Sequence, residues 1–159
     1  IALKQTGQDV SICIRTQTLV DGEEENTELY TQGRYYQKNG SWYITYEETE
    51  TTGYQGCRTT LRAQDHQVSL IRQGDYRSRL VVEENQRNIG YYATPVGELM
   101  IGVSAKEVVN RLTPFGGTLE FAYALDLNAS LLSDNRITIE VSLPEIDTQV
   151  NLQTGERTE

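Results

Sequence analysis

The residues best suited to chemistry in this chain are its arginines and tyrosines. Eleven of the 14 basic residues are arginine, and six of these (Arg58, Arg62, Arg72, Arg77, Arg79 and Arg87) share a span holding only four acids. That span is locally +2, whereas the rest of the chain carries 8 bases against 19 acids. A guanidinium presents a planar fork of donors that matches a carboxylate or phosphate bidentately. Strand alternation would put Arg58 with Arg62 on one face and Arg77 with Arg79 on another. If such strands turn their arginines inward, Arg72, Arg77 and Arg79 would line one side of a cavity and orient an anionic ligand. The competing arrangement leaves them on the solvent face, paired across strands with Glu and Asp. The ten tyrosines and one Trp are the second signal. Tyrosine fills apolar space yet keeps a hydroxyl for a partner, which is how an amphipathic cavity is built. Trp42, Tyr46, Tyr92 and Tyr123 are the aromatic candidates for burying what the arginines orient. Strand propensity alone would select the same side chains for plain packing.

Other chemistries find little support. The only histidine, His66, sits beside Asp65 in a turn-like stretch, without the converging ligands of a metal site. No Ser or Cys has a readable base, so no catalytic residue is assigned. Asp21–Glu25 lacks the spacing of a calcium loop and reads as a solvated acidic hairpin tip. No phosphate-binding glycine motif is present, and no cofactor or metal is implied. A net charge of −9 argues against nucleic acid as a general partner. No apolar run approaches the length of a membrane span, and no secretion signal is expected ahead of Ile1. Cys13 and Cys57 read as small buried hydrophobes in a reducing cytoplasm, with a cross-strand disulfide as the alternative. The triplets starting at Asn39 and Asn128 match glycosylation sequons, which mean little without a secretion signal.

The elements that must position these residues are strands. Val, Ile, Thr, Tyr, Phe and Trp make up 52 of the 159 residues, against 10 for Ala and Lys together. Alternation marks strands over 9–20, 29–38, 41–48, 56–63, 67–72, 76–84, 89–94, 98–104, 118–127 and 135–143. Asn39-Gly40 is the strongest hairpin signal, because a type I′ turn needs positive φ at both central residues. Gly33 suggests a bend or bulge. The stretch 105–112 is ambiguous: Ser104-Ala105-Lys106-Glu107 resembles a helix capping box, while Val108-Val109 favours continued strand. Nine or ten strands joined by tight turns, with no crossover helices, imply an antiparallel meander. Closing it into a barrel removes two exposed edges, with a sandwich as the competitor. The expected architecture is therefore all-β: an antiparallel up-and-down closed barrel of about 8–10 strands. It occupies 1–143 as one domain, with 144–159 as a polar tail in which Val150 and Leu152 could dock.

An ordered set of segments carries a family resemblance. It runs from Glu28-Leu29-Tyr30-Thr31-Gln32-Gly33-Arg34-Tyr35-Tyr36 to Trp42-Tyr43-Ile44-Thr45-Tyr46-Glu47-Glu48, then Thr59-Thr60-Leu61 and Val68-Ser69-Leu70-Ile71-Arg72-Gln73-Gly74. Tyr92-Ala93-Thr94-Pro95-Val96-Gly97 and Tyr123-Ala124-Leu125 complete it. The chain resembles the YwiB-like family of small bacterial proteins. The resemblance implies a calycin-like barrel, related in shape to lipocalins, in a bacterial cytoplasm, and brings no catalytic residue or cofactor to transfer. Gly40-Ser41-Trp42 spells the lipocalin G-x-W, but it follows the turn into the third strand and is read as coincidence. Two functions follow. One is a non-enzymatic binding module for a small amphipathic or anionic ligand, using the seven arginines and aromatics named above. The other is a filled barrel that acts through its surface as an interaction or regulatory protein, with a homodimer possible.

Overall fold

The computed structural model describes residues 7–144 of the chain. These form ten strands: β1 (Gln8–Val20), β2 (Glu23–Lys38), β3 (Ser41–Glu47), β4 (Arg58–Ala63), β5 (Gln67–Gln73), β6 (Ser78–Glu83), β7 (Arg87–Thr94), β8 (Gly97–Thr113), β9 (Gly116–Leu127) and β10 (Ser130–Ser142). Each strand pairs antiparallel with its sequence neighbours, and β1 pairs with β10 to close the barrel. The expected docking of Val150 and Leu152 lies outside the described residues.

Turn chemistry fixes the hairpins. Asn39-Gly40 has φ of 52° and 83°, as the type I′ expectation requires, and Asp21-Gly22 repeats it with 50° and 81°. The acidic run is the exposed tip of this hairpin, as expected: Asp21 is in the turn and β2 begins at Glu23, so Glu24 faces Leu19 and Glu28 faces Arg15 across the ladder. Gly33 lies where β2 passes from pairing with β1 alone to pairing with β3 as well, from Arg34↔Thr45 onward. A Cβ there would fall 2.2 Å from the Thr45 carbonyl oxygen, so the close approach of the two backbones needs glycine.

The ambiguous stretch 105–112 is strand. β8 runs unbroken from Gly97 to Thr113, with one register shift between Ala105 and Glu107. The extra residue at the bulge, Lys106, explains the lost alternation. Ala105 still points inward, and inward positions resume at Val108 and Leu112. A helix would have left the facing edge of β9, from Tyr123 to Gly116, without a partner, so pairing with β9 outweighs the capping-box signal.

Inward-facing side chains fill most of the barrel. Val10, Ile12, Ile44, Leu61, Val68, Val82, Val103, Leu119, Phe121 and Ile139 are each at most 3% exposed and belong to one cluster. At the end of the barrel carrying the β2–β3 hairpin, Tyr35 is fully buried, stacks on Trp42 with centroids 4.7 Å apart, and donates its hydroxyl to the Thr113 carbonyl at 2.7 Å. That end is shut. The opposite end, where β3, β5 and β7 finish and β4 and β6 begin, is not.

Candidate functional site

Arg72 stands at the end of β5, opposite Thr59 on β4 and Ser78 on β6. Its strand neighbour of like parity, Leu70, packs against the core, so Arg72 points the same way, into the open end of the barrel. One guanidinium nitrogen donates to the Ser78 hydroxyl at 3.0 Å. Tyr54 lies flat against the guanidinium, whose carbon is 3.6 Å from the ring centroid, and Tyr92 approaches from another side at 5.4 Å. The two phenols bond each other, hydroxyl to hydroxyl, at 3.1 Å. Cation and rings thus hold one another in place.

Arg72, Ser78 and Tyr92 line a cavity of about 170 Å3, together with Tyr46, Glu48, Thr59 and Tyr123. The Thr59 hydroxyl donates to the Glu48 carboxylate. Burial, and then the charge of Glu48 and a hydrogen bond to it, push the Tyr46 phenol well above its ordinary range. Burial, followed by the bond to Tyr92, pushes Tyr54 up to about 12. Burial, and then proximity to Tyr92, raises Tyr123. All three phenols therefore remain neutral hydroxyls at physiological pH. One donor in the site lacks an acceptor: Arg72 Nε is buried without a hydrogen-bond partner. Such atoms are uncommon, because an unpaired buried donor keeps its full dehydration cost.

Four of the seven residues expected at the site meet here: Arg72, Tyr46, Tyr92 and Tyr123. Three do not. Arg77 and Arg79 are exposed on the outside, because the buried positions of β6 are Ser78, Leu80 and Val82. Arg79 pairs with Tyr91, the outward member of Tyr91-Tyr92. Trp42 packs at the shut end against Tyr35. Arg58 is also outside, bonded to Glu47 at 2.7 Å, as the solvent-face alternative anticipated. Glu48, Thr59, Ser78 and Tyr54 complete the site without having been singled out. The parity of Thr59 and Ser78 with inward neighbours could have found them. Tyr54 lies outside the strands. It sits in the β3–β4 connection after a single 3-10 turn, Glu50–Thr52, and no periodic signal marks it.

Larger hollows, such as one of about 400 Å3 beside Ser11, Cys13, Tyr30 and Glu140, lie on the outer face of β1 and its neighbours. Their charges are already matched: Arg15 bridges Glu28 and Glu140, and Arg136 bridges Glu107 and Glu120. They offer no unpaired buried group. No group of His, Cys, Asp and Glu among the described residues could hold a metal ion. His66 is exposed in its turn, 2.8 Å from Glu84.

Residues 12–139, most of the barrel, match the family described as "Domain of unknown function (DUF1934)". The chain belongs to that family. It is 25% identical over 118 residues to the uncharacterized beta-barrel protein YwiB of Bacillus subtilis (strain 168), a match covering 73% of this chain and 82% of YwiB. The crystal structure of that ywiB protein superposes with a TM-score of 0.77 at 20% identity, over 88% of this chain and 94% of the other. The resemblance read from the ordered segments is thus established, and with it the closed antiparallel barrel.

Proposed function

We propose that this protein is a non-enzymatic binding module whose half-open barrel end holds a small amphipathic or anionic ligand. The observation that carries this reading is Arg72. Its charge is half-buried against Tyr54 and Tyr92, and its Nε donor is unanswered inside a tyrosine-lined cavity. A carboxylate or phosphate oxygen would supply the missing acceptor. Leu70 and Leu80 would meet the apolar part of the ligand. At about 170 Å3 the cavity falls below the ~300–1,000 Å3 of drug-sized sites, so the ligand, or the part of it held, is small. The reading extends to a calycin-like mode of use, with one end shut and one end receiving ligand. It also includes a reducing cytoplasm, supported by two buried cysteines that are not joined.

A second reading has its own support. The outer face of β6–β8 exposes Ile89 and Met100 beside Arg79, an apolar and cationic surface suited to a protein partner or a second copy. Native mass spectrometry of gently purified protein separates the two. A bound mass that leaves on denaturation, and is missing from Arg72→Met, is the expected result. A bare monomer mass in both, with a co-purifying or self-associated species instead, would transfer the function to the outer surface.

A further inference from the structure

We propose that the cavity takes a small zwitterion, an ammonium carboxylate in the size class of the smaller α-amino acids, with its carboxylate on Arg72 and its ammonium on Glu48. This rests on the reading of the cavity as a ligand site and adds the second pole of the ligand. Arg72 and Glu48 line the same cavity with opposite charges. Among the described ion pairs neither takes part, with each other or with a third residue. Two unlike charges facing one small space without touching leave room for a group that bridges them.

Each pole keeps free capacity on the right side of the bookkeeping. Arg72 spends one nitrogen on Ser78 and leaves Nε unpaired. Glu48 accepts from the Thr59 hydroxyl and from Tyr46, while a carboxylate can accept about four bonds. A purely anionic ligand would satisfy Arg72 but stand beside the Glu48 carboxylate. A purely cationic one would satisfy Glu48 but face the guanidinium. Only a molecule carrying both signs answers both, and unlike-charge contacts in a poorly hydrated site are where such matching matters most. Size agrees. An apolar cavity of ~150 Å3 admits benzene, so about 170 Å3 suits a short ammonium carboxylate with a small side chain. Leu70 and Leu80 offer that side chain an apolar wall.

The test compares matched probes on the full chain by nuclear magnetic resonance titration, which reads weak binding directly. L-Alanine, L-valine and L-leucine are each set against the des-amino acid and the des-carboxy amine of the same skeleton. The expected result is that one of the amino acids binds wild type at least tenfold more tightly than either of its analogues. Glu48→Gln should weaken the amino acid at least tenfold and leave the des-amino acid bound equally or more tightly, whereas Arg72→Met should abolish both. The probe comparison on wild type stands even if a variant fails to fold. Equal binding of amino acid and des-amino acid, unchanged in Glu48→Gln, would overturn the zwitterion and leave an anion site standing. Failure of every probe to bind wild type, or binding that survives Arg72→Met, would overturn the cavity as a ligand site and this inference with it.

Discussion

Replacing Arg72 by Met separates a ligand-binding arginine from a structural one through the stability of the free protein. The substitution removes a charge-assisted bond to Ser78, worth about 1.5–3 kcal/mol. It also removes the stacked contact with Tyr54, worth about 0.5–2 kcal/mol. Against this, it relieves the buried, unpartnered Nε donor, which costs about 1–3 kcal/mol. It also ends the partial dehydration of a full charge that has no counter-ion in contact. The stem of Met still fills the space beside Leu70. Losses and gains nearly cancel, so the free protein should change by no more than about 1 kcal/mol, or roughly 2–4 °C in Tm at this chain length. An arginine serving as one half of a buried structural pair would instead cost about 3–5 kcal/mol. Urea denaturation reads the difference, with the single tryptophan, Trp42, reporting from the shut end where the substitution does not reach. A loss above about 3 kcal/mol in ligand-free protein would refute the reasoning, because Arg72 would then hold the barrel together and not await a ligand.

Further outcomes follow from the same geometry. Gly33→Ala should cost at least about 2 kcal/mol, since the new Cβ would lie 2.2 Å from the Thr45 carbonyl and 2.8 Å from Ile12. Gly40→Ala meets nothing within 4 Å and should cost only the strain of φ 83°, about 1–2 kcal/mol; equal losses in urea melts would refute the distinction. Arg87 and then, against burial, the Ala129 N–H hold the Asp126 carboxyl below its ordinary 3.8. A lowered folded pKa adds stability that is complete above the unfolded value and fades as pH falls through the folded one. The advantage of wild type over Asp126→Asn should therefore be constant above about pH 5 and shrink below about pH 4, read as urea midpoints across that range; an advantage independent of pH would remove the ion pair as its cause. Both thiols are free and at most 8% exposed, so a thiol reagent should react with two groups in denatured protein and slowly with either in native protein. Fast native reaction of Cys57 would contradict its packing beneath Tyr76, whose backbone N–H donates to the sulfur at 3.4 Å.

Local physics settled what the sequence could show. Asn39-Gly40 and Asp21-Gly22 are turns because these residues tolerate positive φ, and that tolerance travels with the residue wherever it is placed. Alternation marked the strands because side chains on a pleat have a period of two. The same period shows which residues share a face but not which face is inside. Arg77 and Arg79 therefore grouped correctly with each other and fell outside, while Arg72 fell inside, once Ser78 and Leu80 were buried. The order of segments was enough to reach the family. Only the tertiary structure decided three things. It closed the barrel, through a ladder from Ser11↔Ser142 to Leu19↔Asp134 that joins the two ends of the described chain. It made 105–112 strand, because the facing edge of β9 needed its backbone groups. It brought Tyr54, from an aperiodic connection, onto Arg72, and Glu48 to the opposite side of the charge balance. Those contacts join residues far apart along the chain, and their geometry is set by closure of the whole sheet, which no window of the sequence contains.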